Sequence, residues 1–389
     1  MPATVNPHLR FGVFMPPLHQ PGRSPNVNFH RDLELVERLD RLGYDEVWIG
    51  EHHSSGVETV ASPEVFIAAA SQRTKHIKLA TGVVSLPYHH PFLVADRVVL
   101  LDHLTRGRLI FGVGPGQLPR DARMLGLDPT KGRENMEASL DVVMRLLRGE
   151  TVTASTEWFR CHGAELQFAP YSDIEVAVTG AVSPAGPRLA GRYGLSLLSL
   201  AATSPEYRPV MASHWQICEE FAAQNGTTVS RAGWRLLGPM FIAETLEEAK
   251  QEARYGLPWM TEHMARLIWG AQDPPDDYEK LIDGLNASGA AVIGTPEMAR
   301  EQISSLLEVS GGFGCYLLQQ ADLARPAAQA RSYELFAEEV IPYFRGQLDS
   351  VFRQYQEIVE LGHQTGDTAG IGQQAAIERH LREQALKSA

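Results

Sequence analysis

Residues 77–113 read IKLATGVVSLPYHHPFLVADRVVLLDHLTRGRLIFGV. Two apolar runs, 77–84 and 108–113, flank a segment from Pro91 to Leu104 in which apolar residues recur at helical spacing. Both runs are apolar almost throughout, which is typical of strands that helices cover on both faces. The stretch therefore predicts a strand–helix–strand unit of a parallel sheet.

The same alternation extends along most of the chain. Strands are predicted at 11–15, 46–50, 77–84, 108–113, 174–179, 195–200, 235–242 and 313–319. Helices are predicted at 31–42, 63–73, 91–104, 133–147, from about 184, at 205–224, 245–254, from 294–297 and at 331–341. Eight strands suit a closed barrel better than an open sheet, so we predict an α/β fold, a (β/α)8 TIM barrel.

Two segments interrupt or follow this pattern. Residues 255–293, which contain Pro274 and Pro275, break the alternation and are predicted to be an insertion before strand eight. Residues 346–389 are polar and rich in Gln and Glu, with some helical patterning. We therefore predict a barrel over 1–345 and a C-terminal helical tail over 346–389.

Composition sets limits on function. The chain has 389 residues, of which 44% are hydrophobic and 21% charged, and its formal net charge is −12. This acidic balance argues against binding to nucleic acid or to an anionic membrane surface. Three scattered cysteines form neither a disulfide framework nor a zinc motif, and the N-terminus lacks signal-peptide features. A cytoplasmic location is expected.

Active sites of such barrels lie at the carboxyl ends of the strands. Strand two leads into Glu51-His52-His53, and strand three into a second pair, His89-His90. Adjacent strand residues point to opposite faces, so neither histidine pair predicts a metal site, and we expect none. A histidine at a strand end can instead move a proton near neutral pH.

The segment after strand five is a candidate anion site. Thr179, Gly180, Ser183 and Gly186 place hydroxyl and backbone N–H groups at the start of a helix, where the helix dipole favours a phosphate. The alternative is a simple helix start with Ser183 as the cap and Pro184 in the first turn. The residues alone leave both interpretations open.

At these strand ends the sequence resembles the bacterial luciferase-like flavin-dependent monooxygenases, and limonene-type monooxygenases most closely. The resemblance is dense up to about residue 195 and thinner beyond it. The matching strings are GYDEVWIGEHH at 43–53, ATGV at 80–83, LP at 86–87, HP at 90–91 and LDHLTRGR at 101–108 running into FGVG at 111–114.

The resemblance implies a two-component enzyme. A separate NAD(P)H:flavin reductase would supply reduced FMN (FMNH2), and O2 would be trapped as a C4a-hydroperoxyflavin. The product would be a hydroxylated, epoxidised or Baeyer–Villiger oxidised hydrophobic small molecule, such as a terpene or a secondary metabolite. A homodimer is also compatible with the family.

The resemblance also assigns residues. It implies that His52 is the active-site histidine, that Glu51 lies beside the flavin ring and that a cis peptide joins Gly82 to Val83. Further cofactor contacts are expected at Thr81, Gly82, Val83, Gly114, Thr179, Gly180, Ser183 and Gly186. Apolar walls of the substrate site are expected at Phe14, Met15, Trp48 and Leu86.

The sequence departs from luciferase itself in the loop after strand four. Gly114 and Pro115 stand where luciferase has a reactive cysteine and a phosphate-contacting arginine, so light emission is not expected. Two alternatives remain open: an oxidoreductase that uses the deazaflavin F420, and a relative that binds flavin without catalysis.

Overall fold

A computed structural model describes residues 6–267, 277–365 and 368–387. Residues 1–5, which were assessed above for a signal peptide, lie outside the described residues. So do residues 268–276, which include Pro274 and Pro275 of the predicted insertion, and residues 366–367 and 388–389 of the tail.

Strands and helices alternate over most of the chain. The strands are β1 Arg10–Met15, β2 Glu46–Ile49, β3 Lys78–Thr81, β4 Val84–Ser85, β5 Leu109–Gly114, β6 Val152–Ser155, β7 Arg160–Ala164, β8 Glu175–Gly180, β9 Ser196–Ser199, β10 Trp234–Ile242, β11 Val292–Gly294 and β12 Cys315–Gln319. The helices are α1 Pro25–Leu42, α2 Pro63–Ser71, α3 Pro91–Thr105, α4 Pro119–Met124, α5 Gly132–Leu147, α6 Ala185–Tyr193, α7 Met211–Asn225, α8 Leu246–Ala253, α9 Leu257–Leu267, α10 Tyr278–Ser288, α11 Pro296–Ser310, α12 Pro326–Leu335, α13 Ile341–Arg345, α14 Asp349–Thr365 and α15 Thr368–Lys387.

Eight parallel strands close into a barrel. The order around it is β1, β2, β3, β5, β8, β9, β10 and β12, and β12 returns to pair with β1. Closure on the far side comes from β9 and β10, where Trp234 pairs with Leu197. The sheet formed by these eight strands therefore has no free edge, and the predicted (β/α)8 barrel is confirmed.

The structure differs from the predicted elements in several places. The third predicted strand is broken into β3 and β4 by the residues between them, Gly82 and Val83. A hairpin of β6 and β7 and the extra strand β11 were not predicted. The helix predicted from Pro205 begins only at Met211, because a turn and a 3-10 segment at Arg208–Val210 precede it.

The starts of α8 and α6 differ in how they are capped. Thr245 caps α8, with its hydroxyl accepting a hydrogen bond from the N–H of Glu248, as predicted. Ser183 does not cap α6, however, since Pro184 occupies the cap position and makes no side-chain cap bond. The cap interpretation of Ser183 is therefore wrong, and its hydroxyl is not committed to the helix end.

Apolar side chains from the strands fill the barrel interior. A buried cluster contains Trp48, Ala80, Ile110, Ala177, Leu198, Leu237, Cys315 and Leu317. Below it, at the amino ends of the strands, Arg235 is fully buried and donates to both carboxylate oxygens of Glu46 at 2.9 and 3.0 Å. Arg10 and Glu175 complete this ion network. The end of the barrel opposite the active site is thus held by buried charge pairs.

The chain divides into two compact units between Ile341 and Pro342. In the second unit α14 carries exposed apolar side chains at helical spacing, among them Phe352, Tyr355 and Ile358. None of the helices in the described residues has the length and apolar character that a membrane crossing requires.

Candidate active site

A cavity of roughly 1290 Å³ opens at the carboxyl ends of the barrel strands. Small-molecule sites are usually about 300–1,000 Å³, so this cavity has room for a ligand larger than an ordinary metabolite. Its wall includes residues that follow β1, β2, β3, β5, β8, β9 and β10. The location agrees with the position of active sites in (β/α)8 barrels.

His52 lies in the wall of this cavity, directly after β2. Its Nε2 is 3.5 Å from Oε2 of Glu58, and its Nδ1 is 3.8 Å from Oδ2 of Asp121. Nδ1 is buried and has no hydrogen-bond partner among the described residues. Burial lowers the pKa of His52 although the charge of Asp121 opposes this, so the imidazole is neutral at pH 7.

Glu51 is held by a different set of groups. Its carboxylate accepts hydrogen bonds from His53 Nε2 at 3.0 Å, from His89 Nε2 at 2.6 Å and from the N–H of Ser85 at 2.6 Å. Burial would raise the pKa of Glu51, but these donors outweigh it and lower the pKa to about 2. Glu51 is thus a fixed anion that organises His53 and His89, and it makes no hydrogen bond to His52.

Glu58 and Asp121 are site residues that the sequence analysis missed. Glu58 lines the cavity, and the nearby Asp121 accepts hydrogen bonds from the Ser54 hydroxyl and the N–H of His53. Burial raises the pKa of Glu58 to about 7, and the charge of Asp121 adds to the effect. Glu58 lies in a loop and Asp121 in the short helix α4, far from His52 in sequence, so their proximity to His52 is seen only in the folded structure.

The predicted cis peptide between Gly82 and Val83 is confirmed. Both residues line the cavity, and a Cβ at Gly82 would lie 3.0 Å from Cβ of Trp48. Thr81 lies away from the cavity wall, since its hydroxyl bridges the N–H and C=O of Gly112 between β3 and β5. Gly114 also lies behind the wall, where a Cβ would meet the Val83 side chain at 2.6 Å.

The predicted anion segment forms another side of the cavity. Thr179, Gly180, Ser183 and Gly186 all line it, at the end of β8 and the start of α6. A Cβ at Gly186 would lie 2.2 Å from the C=O oxygen of Thr179. Glycine is required there because the first turn of α6 packs directly on the strand end, which directs the helix N-terminus toward the cavity.

Three arginines stand near this helix start and line the cavity: Arg133 at the beginning of α5, and Arg188 and Arg192 in α6. Arg192 is paired with Glu137, and the guanidinium of Arg188 lies 4.9 Å from the centre of the Phe221 ring. In the part of the chain that is described, Arg133 has no ion-pair partner. This side of the cavity is therefore suited to an anion.

Another part of the wall is apolar. It is formed by Leu237, Met240, Leu257, Met260, Leu281, Leu285, Val292, Ile293 and Leu323. Many of these belong to the predicted insertion, which here contributes α9, α10 and β11. Phe14 lines the cavity as expected, whereas Met15, Trp48 and Leu86 are fully buried and lie off its wall. That expectation was wrong for these three because their side chains face the packed interior.

The cavity of this (β/α)8 barrel therefore combines a histidine whose pKa is lowered by burial, a helix start and a largely apolar wall. The Luciferase-like monooxygenase family matches residues 9–312. The chain belongs to this family, and it is a monooxygenase. No group of three or more His, Cys, Asp or Glu side chains in the described residues is arranged to hold a metal ion.

Several relatives are similar over nearly their whole length. The chain is 53% identical over 378 residues to limonene 1,2-monooxygenase of Rhodococcus erythropolis, covering 97% of each chain. It is 43% identical to 4-hydroxyprotoasukamycin monooxygenase of Streptomyces nodosus subsp. asukaensis, over 90% of this chain and 96% of that one.

A solved structure shows the same architecture. The oxygenating constituent of 3,6-diketocamphane monooxygenase from Pseudomonas putida, a type II Baeyer–Villiger monooxygenase in complex with FMN, is 28% identical with a TM-score of 0.71. The similarity covers 86% of this chain and 98% of that one.

Proposed function

We propose that this monooxygenase uses reduced FMN, delivered by a separate NAD(P)H:flavin reductase, and O2 to oxygenate a hydrophobic, terpene-like small molecule. The observation that carries the proposal is the single cavity that joins His52 and the Gly82–Val83 peptide to the start of α6. A flavin mononucleotide has a flat ring at one end and a phosphate at the other, and the cavity offers a suitable environment for each.

The residues fit FMN. The helix start at Gly186, together with Arg133 and Arg188, provides backbone N–H groups and positive charge for a phosphate. The unpartnered Nδ1 of His52 is a buried polar atom that requires a partner, because a buried polar group without one costs about 1–3 kcal/mol. The relative of known structure that was solved with FMN supports the same cofactor.

When it is bound, the flavin supplies two electrons and the activation of O2. The protein itself has three tasks at this site. His52, neutral at pH 7, accepts or donates a proton at the cavity wall. Glu51 fixes His53, His89 and the chain after β4, and the apolar wall excludes water from the reacting groups.

The apolar wall and the names of the relatives support the substrate class. A wall of leucine, isoleucine, valine and methionine side chains binds a hydrocarbon skeleton and offers few hydrogen-bonding groups. The relative with 53% identity is named for limonene, which is a hydrocarbon of this kind. The reductase partner is supported by the P. putida relative, which is described as an oxygenating constituent.

The test is a coupled assay with purified protein, FMN, a flavin reductase, NADH and limonene, with products identified by gas chromatography and mass spectrometry in 18O2. We expect one labelled oxygen atom per product molecule and a loss of at least 100-fold in rate for His52→Gln. His30→Gln, a change at an exposed histidine of α1, is the matched control and should keep the rate. Turnover with reduced F420 and none with reduced FMN would overturn the proposal.

A further inference from the structure

Three carboxylates cluster around His52, and they differ in how they are held. Glu51 accepts three hydrogen bonds, from His53, His89 and the Ser85 N–H. Asp121 accepts hydrogen bonds from the Ser54 hydroxyl and the N–H of His53. Each of these two thus has donors that stabilise a negative charge.

A negative charge on Glu58 has weaker support: the Ser55 hydroxyl lowers the pKa of this carboxyl, but burial and the charge of Asp121 outweigh it. Its carboxylate has no arginine or lysine partner within the described ranges, and its side chain is 17% exposed. The imidazole of His52 lies beside it, with 3.5 Å between Oε2 and Nε2. A negative charge on Glu58 would therefore be both poorly solvated and close to the charge of Asp121, which favours the protonated acid.

The backbone fixes Glu58 in this position. The residue forms an isolated antiparallel bridge with Leu18, and the N–H of His19 donates to the C=O of Val57 at 2.9 Å. The Ser55 hydroxyl also accepts from the N–H of Glu58 at 2.7 Å. The side chain thus faces the cavity because the chain on both sides of the loop is tied down.

We propose that Glu58 is the proton store of the site: it shares one proton with His52 and sets whether the imidazole can donate or accept at the cavity. The inference rests on the proposed oxygenation, because it assigns the source of the proton that this reaction needs. Glu58 acts through His52 and is therefore a positioning residue.

Other titratable groups surround the pair. Glu51 and His53 lie on the same loop, Asp121 comes from α4, and Tyr88 and His89 come from the segment before α3. His263 of α9 lines the cavity from another side. Glu51 has a pKa of about 2 and burial raises the pKa of Tyr88 to about 12, so neither changes charge near neutral pH. Burial raises the pKa of Glu58 to about 7, so this carboxyl changes charge in that range.

The proton that Glu58 shares with His52 affects which class of substrate the site can oxygenate. Activated oxygen that keeps its proton is an electrophile and adds to an electron-rich C=C bond, whereas the deprotonated form is a nucleophile that attacks a carbonyl carbon. Overall, one oxygen atom of O2 forms two C–O bonds in an epoxide while the O–O bond and the C=C π bond break. The other oxygen leaves as water with two protons, and reduced FMN supplies the two electrons. A carboxyl whose pKa is raised to about 7 holds a proton below that pH, and this favours the alkene chemistry.

The first experiment follows titration in the flavin-free protein by NMR. Histidine ring nitrogens are labelled with 15N and glutamate carboxyl carbons with 13C, and the His52 and Glu58 signals are assigned by their loss in His52→Gln and Glu58→Gln. We expect a carboxyl midpoint near pH 7 for Glu58. In Glu58→Gln the last step of the His52 titration should move down by about one pH unit or more. Glu64→Gln, a change at a carboxylate of α2 outside the cavity, is the control and should leave it unchanged.

The second experiment measures the rate of alkene oxygenation against pH. The wild-type rate should fall above about pH 7, and Glu58→Gln should lose about tenfold in kcat with KM within about threefold. A Glu58 midpoint near 4.5, or identical His52 curves in the wild type and Glu58→Gln, overturns the inference. If Glu58→Gln does not fold, the titration of Glu58 is measured in His52→Gln instead. The inference then requires that the midpoint of Glu58 differ between this variant and the wild type. The NMR arm contains no flavin, so it succeeds or fails independently of the proposed oxygenation.

Discussion

Arg235 donates hydrogen bonds to both carboxylate oxygens of Glu46, at the end of the barrel that lies farthest from the cavity. Burial would raise the pKa of Glu46, but the charges of Arg235 and Arg10 outweigh it and hold the pKa below its ordinary value. The pair is fully buried, so removing Arg235 takes from Glu46 a charge partner that water cannot replace, although Arg10 and the Trp48 indole N–H still contact the carboxylate.

Arg235→Met should therefore destabilise the protein by about 3–5 kcal/mol, measured by urea unfolding. The double variant Arg235→Met with Glu46→Met should recover much of this loss, because the fully buried carboxylate is removed as well and the remaining charges, Arg10 and Glu175, are partly exposed. Arg254→Ala, which breaks the exposed pair with Glu279, is the control and should cost no more than about 1 kcal/mol. A loss for Arg235→Met as small as that of the control would contradict this account of the ion network.

Gly186→Ala tests the contact between the start of α6 and the end of β8. The added Cβ would lie 2.2 Å from the Thr179 oxygen, so the helix start must move. We expect a loss of about 1–3 kcal/mol in stability and weaker binding of oxidised FMN, followed by quenching of flavin fluorescence. Gly284→Ala in α10 meets no atom within 4 Å and should be neutral or stabilising. Unchanged FMN affinity in Gly186→Ala would argue against this segment as the phosphate site.

Arg133→Gln tests the charge at the same side of the cavity. If Arg133 contacts the phosphate, the variant should bind FMN about tenfold or more weakly and riboflavin with unchanged affinity, because riboflavin lacks the phosphate. Equilibrium dialysis of both flavins gives the ratio. Arg123→Gln, at an exposed arginine of α4 outside the cavity, should alter neither affinity. Equal weakening of both flavins would show that Arg133 supports the fold of the site and not the phosphate.

His19 predicts a pH dependence of stability. Its ring is buried between Asp32, at 2.9 Å from Nε2, and Asp322, at 3.1 Å from Nδ1. Burial would lower the pKa of His19, but the hydrogen bonds to these carboxylates raise it to about 9. Because the folded pKa lies above the unfolded value near 6.5, the stabilisation is complete below pH 6.5 and is lost as the pH rises through 9.

We expect up to about 3 kcal/mol of stability to disappear between pH 6 and pH 10, measured as unfolding free energy in urea. His19→Gln should flatten the dependence of unfolding free energy on pH, and the control His30→Gln should leave this dependence unchanged. A slope that persists in His19→Gln would place the titrating group elsewhere.

The barrel was predictable from the sequence because each strand is a short apolar run and each helix shows its own period. The position of His52 and the segment 179–186 followed from the strand ends. The carboxylates near His52 were not predictable. Glu51 is its neighbour in sequence but bonds to His53 and His89, while Glu58 approaches from a loop and Asp121 from α4. Trp48, Met15 and Leu86 were misplaced because an apolar strand buried on both faces gives no alternation that separates core from cavity.

The strand β11 pairs only with the far end of β10, through Met240, Phe241 and Ile242, and takes no part in closing the barrel. Together with α9 and α10 it supplies much of the apolar wall. This apolar part of the cavity wall is thus attached to the barrel from outside its closed sheet, and its sequence can diverge without disturbing the strand register. Segments spanning residues 255–293 are therefore the natural units to exchange between relatives when a new substrate preference is sought.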